Sequence, residues 1–237
     1  MKTEELEFEK TLDYIELCNY LQKKYGAPKF SYFLSIDSKN PTSRIRRSDE
    51  GLFVHHIYEN TMPDLGKNEV MKITPFEWQQ PENLLYCNYL EHFLLHLKIV
   101  KEGKSIKRVK ILGIGGIINH FCEALNYYYL HHTSFHKNTW LHAWAIGGKE
   151  RAKKYEKMIE TKDKQFEPIK ENVDDYLLLL KETDEAICSD EIIFDYCKDI
   201  WKQLFREELY GKYTTNIYKM FVEKFNIPKI EIMFKNK

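Results

Sequence analysis

Residues 88–100, "NYLEHFLLHLKIV", constrain this chain more than any other stretch. Apolar residues recur there three and four apart, and the run is too long for an ordinary strand, so the pattern predicts a helix. His92 and His96 stand four residues apart within it, which stacks two imidazoles on one helix face, one turn apart. Two rings so placed can bind one divalent ion. A helix this apolar is partly buried, and a single histidine in it would read as core. The pair, with Glu91 beside His92, puts metal ligation on equal terms with packing. Phe93 follows His92, so the H-E-x-x-H arrangement of zinc metalloproteases is absent.

The rest of such a site has to come from elsewhere, and "GLFVHHIYEN" (51–60) is the natural supplier. The segment 52–57 has the β-branched and aromatic content of a short strand. Successive strand side chains point to opposite faces, so at most one of His55 and His56 joins a given core. The other faces solvent, a ligand or a loop.

In chain order the pieces are "LFVHHI", "ENLLYC" with Asn83, and "EHFLLH". Together they resemble the HNH nucleases, whose fold is a ββα-metal finger, in their H-H…N…H…H form. "NLLYCNYLEHFLLHLKIV" is also similar to the end of the motif in phage-type HNH endonucleases, where an N-L-V stretch precedes an E-H-F-x-x-H helix. The resemblance covers roughly residues 44–100. It implies that His55, His92 and His96 hold one divalent metal (Zn²⁺, Mg²⁺, Mn²⁺ or Ni²⁺) and that His56 is the general base on the attacking water. It implies that Asn83 ties the loop of the finger together rather than touching phosphate. The implied reaction is hydrolysis of DNA phosphodiesters, leaving a 5′ phosphate and a 3′ hydroxyl. An imidazole that titrates near neutrality suits the base, and an amide that both donates and accepts suits the tie. The rival expectation is a non-catalytic, metal-stabilised module that binds nucleic acid or protein, its closed site completed by Cys87 or Glu91.

Two features depart from compact members of that family. The segment between His56 and Asn83 is long, and is read as a second strand with a loop insertion that serves as a DNA contact or a lid. A bracing cysteine quartet is lacking, so packing against the N- and C-terminal helices has to brace the finger. Basic clusters flank it: "SRIRR" (43–47), with Arg46 and Arg47 as candidate phosphate clamps, and "KIVKEGKSIKRVK" (98–110), with Lys104, Lys107 and Arg108.

The fold expected is α+β, a ββα-metal nuclease finger embedded in a predominantly helical protein. Its divisions are 1–43, an N-terminal helix and strand extension; 44–104, the nuclease core; and 105–237, a helical region for recognition, homodimerisation or a partner protein. Spacing predicts one amphipathic helix over 4–25 with Phe8, Leu12, Ile15 and Leu21 on one face, and a strand over 30–36. Further helices are predicted near 106–131, 139–162, 171–187, 189–210 and 214–225, with an edge strand in the tail. Tyr176, Leu179 and Leu180, and Ile193, Cys197 and Trp201, read as core stripes. "GIGG" (113–116) lacks the Lys-Ser/Thr of a P-loop, so its glycines are read as allowing close helix packing. His132 and His136 are four apart but sit among turn residues, and Cys87 reads as a small apolar core residue.

Composition narrows the class. The 237 residues are 43% hydrophobic and 30% charged, with 36 basic and 36 acidic side chains, so net charge is zero. That excludes bulk polyanion binding but not a local basic groove. Five scattered cysteines without a CxxC argue against both a disulfide framework and a zinc ribbon. The N-terminus lacks a signal sequence, and the longest apolar run, "ILGIGGII", is too short to span a bilayer. A cytoplasmic protein is expected.

Overall fold

The computed structural model describes residues 3–103, 112–122, 124–125, 128–129, 164–204 and 223–225. The described part is mostly helical, with one two-stranded antiparallel sheet. Helices α1 (Thr3–Thr11) and α2 (Tyr14–Tyr25) open the chain. Strand β1 (Phe53–His56) pairs with β2 (Leu84–Cys87), Phe53 opposite Cys87 and His56 opposite Leu84. Between them lie 3₁₀ turns and the short helix α3 (Asn68–Met71). Helix α4 (Tyr89–Glu102) follows β2 after one residue, and α5 (Val173–Ser189) and α6 (Glu191–Leu204) form a later pair.

Capping sets where these helices begin. Asp13 accepts from the Glu16 amide while Glu16 accepts from the Asp13 amide, a reciprocal capping box that starts α2. The predicted single helix over 4–25 is therefore two. The break also changes the buried face: Phe8 and Ile15 are exposed, while Leu6, Tyr14, Leu17, Cys18 and Leu21 are buried. Asn88 and Glu91 make the same box at α4, switching the chain from strand to helix within one residue.

Two strand expectations are corrected. Residues 30–36 form bends and turns; Leu34 and Ile36 are exposed, and among the described residues no strand lies alongside to pair with them. The second strand is not within 57–82 but at 84–87, whose four residues are all buried. The stripes on α5 and α6 are buried as predicted.

One core runs from Leu6 through α4 to Trp201. Phe93 meets Tyr176 edge-on, and Tyr89 stacks on Phe166 with ring centres 4.4 Å apart, so α4 is braced from the C-terminal side. From the other side Lys24 joins Glu5, Glu9 and Glu91, and Tyr25 donates to Glu91, locking α1 and α2 onto α4. All five cysteines lack a disulfide, and Cys87 is fully buried. Among the described residues no helix is long and apolar enough to cross a membrane. The expected helix over 139–162, His132, His136 and the tail strand lie outside the described residues.

Candidate metal centre

β1 delivers His55 and α4 delivers His92 and His96 to one point. His55 Nδ1 lies 3.1 Å from His92 Nε2, and the three rings lie edge to face or tilted with centres 5.0–5.4 Å apart. A fourth group completes the cluster. After His56 the chain tightens into a 3₁₀ turn (Ile57–Asn60) that folds Glu59 back under the end of the strand. Glu59 Oε2 sits 3.3 Å from His96 Nε2 and 3.6 Å from His55 Nδ1. One donor atom from each of His55, Glu59, His92 and His96 lies within 4.8 Å of the others, an arrangement that can hold a metal ion. His55 is fully buried, and the other three retain some exposure.

Glu59 was not foreseen from sequence, and neither Cys87 nor Glu91 takes the fourth place. The Glu91 carboxylate is committed to Lys24, Tyr25 and the Asn88 amide. The signal for Glu59 was its spacing, four residues after His55, which a turn following a strand end can bring back to the same side.

The hydrogen bonds on the outer nitrogens decide how the imidazoles face. Tyr14 Oη donates its single proton to the Ile57 carbonyl, 2.8 Å away, so His55 Nε2, 2.9 Å from the same oxygen, must be the protonated nitrogen. The Gly113 carbonyl, 3.3 Å from His96 Nδ1, can only accept. Gln79 Nε2 donates to the Leu65 carbonyl, which turns Gln79 Oε1 toward His56 Nε2 at 3.0 Å. In a neutral ring these contacts leave the lone pair on Nδ1 of His55 and His56 and on Nε2 of His96, while His92 meets His55 Nδ1 through Nε2.

These rings surround Glu59. Burial opposes charge on Glu59, yet His55, His56 and His96 together draw its carboxyl well below the ordinary value. Burial pulls His55 down to about 3, and burial followed by the charges of His55 and His96 takes His92 well below its ordinary value. Burial thus disfavours a charged His55 or His92. A proton from His92 Nε2 can bridge to His55 Nδ1, and a cation among the four donors would take its place. The donor set fits a divalent ion.

His56 is buried too, and lies outside the four-donor cluster. Its Nδ1 is 3.7 Å from Glu59 Oε1, so the adjacent histidines meet different oxygens of one carboxylate. Tyr32 covers its ring at 4.5 Å between centres. Asn83 Nδ2 donates to the Glu77 carbonyl at 2.7 Å, closing the turn that leads into β2.

The basic candidates separate. Arg47 is committed: its guanidinium donates to both Glu50 oxygens and to the Tyr25 carbonyl, and lies over Tyr86. Arg46 is exposed. Lys98 turns inward to the Lys10 and Leu12 carbonyls, and Lys101 pairs with Glu182. Lys104, Lys107 and Arg108 lie outside the described residues. No family model, curated protein or solved structure matches the chain.

Proposed function

We propose that this chain is a metal-dependent HNH-type endonuclease that hydrolyses DNA phosphodiesters. The observation that carries the reading is the meeting of His55 from β1 with His92 and His96 from α4, with His56 next to His55 on the strand. Three imidazoles and a carboxylate suit Zn²⁺ or Ni²⁺ better than Mg²⁺, which prefers all-oxygen shells. A divalent ion held there supplies Lewis-acid stabilisation of charge on the phosphoryl and leaving oxygens.

The chain's own groups do the rest. His56 accepts the proton of the attacking water at Nδ1, because Nε2 is protonated and held by Gln79. Tyr32 and Gln79 cover the remainder of His56, so that water lies on the Glu59 side of the ring. Asn83 keeps the turn before β2 closed, and Arg46 is the flanking guanidinium open to a phosphate.

A second reading has its own support: with Glu59 the cluster offers four protein donors, the make-up of a closed structural site. Such a module would bind nucleic acid or protein without cleaving it. Plasmid nicking by wild type and His56→Ala separates the two, assayed with EDTA, Mg²⁺, Mn²⁺, Ni²⁺ or Zn²⁺ and with bound metal counted in both. Cleavage that needs metal and vanishes in the variant while metal is retained supports the nuclease. Metal bound by a wild type that cleaves neither DNA nor RNA supports the structural module.

A further inference from the structure

We infer that Tyr14 and the Gly113–Gly116 turn are positioning residues for the metal centre, fixing its ligation through Nδ1 of His55 but Nε2 of His96. This rests on reading the cluster as a metal site. It adds which nitrogens face the ion and which parts of the chain dictate them.

Tyr14 begins α2, far from β1 in sequence. Its backbone amide donates to Glu102 Oε1 at 2.8 Å, fastening the start of α2 to the last turn of α4. Its ring is buried and meets His55 edge-on. The hydroxyl is thus held against His55 Nε2, and with its proton spent on the Ile57 carbonyl it can only accept there. The His55 ring is left one tautomer, with Nδ1 as the basic nitrogen.

The second clamp reaches His96 from the other side. The Gly113 carbonyl takes its Nδ1 proton, leaving Nε2 toward Glu59. This contact demands glycine at two positions. Gly113 has φ of +86°, and a Cβ there would lie 2.5 Å from the His96 carbonyl oxygen. At Gly116 a Cβ would lie 2.6 Å from His96 Nδ1 and 2.7 Å from Cε1. The close packing thus falls on a candidate ligand ring. The chain continues into a π-helical segment (Ile117–Cys122), and Phe121 on it packs against both His92 and His96, at 4.7 and 5.0 Å between ring centres.

Both clamps come from outside residues 44–104, so ligand orientation depends on the flanking helices. Outer-shell partners of metal-bound histidines commonly contribute about 10–100-fold in affinity. The test uses the full chain as wild type, Tyr14→Phe and Gly116→Ala. Each is stripped of metal and titrated with Zn²⁺ against a chromophoric chelator. Thermal melts of the stripped proteins report folding, and long-range ¹H–¹⁵N spectra of the wild type report histidine tautomers.

The expected result is wild-type Zn²⁺ binding, weakened about 10–100-fold in each variant, beyond any loss explained by the melts. The wild-type spectrum should show Nε2–H on His55 and Nδ1–H on His96, stripped and loaded. Wild-type binding with unchanged affinity in folded variants overturns the inference while leaving the metal site standing. So does a spectrum showing the opposite tautomer at either histidine, which needs no variant to fold. A wild type that binds no ion removes the metal reading itself.

Discussion

Gln79 Oε1 lies 3.0 Å from His56 Nε2, and Gln79 Nε2 reaches the Leu65 carbonyl at 3.1 Å, so one buried amide joins the long connection between the strands to the second histidine of β1. Replacing Gln79 with Leu leaves a buried N–H and a buried carbonyl without partners. The expected cost is about 1–3 kcal/mol, read as a lower denaturant midpoint at unchanged slope. Gln79 touches none of the four donors, so bound metal should stay at the wild-type level while nicking falls. Nicking at the wild-type rate would show that the tautomer of His56 does not matter to the reaction.

Among the described residues Lys24 is the one cation set among Glu5, Glu9 and Glu91, of which Glu9 and Glu91 are fully buried. Lys24→Met keeps the apolar stem but leaves buried Glu91 without its cation. Removing one partner of such a pair typically costs about 3–5 kcal/mol. Because these groups fasten α1 and α2 to α4, unfolding followed by chemical denaturation should shift by that order. A shift below about 1 kcal/mol would place the network among weak surface ion pairs.

The same network gives the protein a pH signature. Burial first, and then the charge of Glu91, push the Glu9 carboxyl up from 4.5 to about 8, against the pull of Lys24. Glu9 Oε2 is buried without a hydrogen-bond partner, so no donor stabilises the ionised form at that oxygen. The folded state thus binds a proton that the unfolded state releases near pH 4.5. This contribution is fully present below that value and lost as pH rises through about 8. Buried His55, drawn down to about 3, acts in the opposite sense, but only up to its ordinary 6.5. Stability of the metal-free protein should therefore fall between pH 6.5 and 8, and Glu9→Gln should remove that fall. An identical slope in the variant would assign it to another group.

The helix carrying His92 and His96 was legible because its period, its length and its paired histidines agree. Glu59 was not, because it stands in a Pro- and Gly-punctuated stretch where no period marks a face, and a 3₁₀ turn decides where it points. β2 is buried on both faces, so "LLYC" shows none of the alternation that announces a strand. "FSYFLSI" errs the other way: it has strand composition, but among the described residues no neighbouring strand is there for it to pair with. The break between α1 and α2 was readable in Asp13 and Glu16, and was obscured by apolar spacing that fits one longer helix.

An ion that binds only the folded cluster must stabilise the fold by mass action. At free Zn²⁺ one hundred times the dissociation constant, the gain is about 2.7 kcal/mol. Melting of the stripped chain should rise with added Zn²⁺ or Ni²⁺ and respond far less to Mg²⁺, given three nitrogen donors. His92→Ala should abolish the response. A larger rise with Mg²⁺ than with Zn²⁺ would mean that oxygen ligands dominate the site.

Arg46 and Arg47 are neighbours with different surroundings, and the nuclease reading predicts that their substitutions separate. Arg47 makes three bonds to Glu50 and the Tyr25 carbonyl and covers Tyr86, so Arg47→Ala removes a packed strut and should lower the melting temperature. Arg46 is exposed, so Arg46→Ala should leave melting unchanged. If Arg46 contacts one phosphate, the variant binds DNA more weakly whatever the sequence, and the slope of log affinity against log salt shrinks by about 1. Affinity is measured on a catalytically silent background, His56→Ala, across several salt concentrations. An unchanged slope would take Arg46 off the DNA path and leave the basic contacts to be sought elsewhere on the chain.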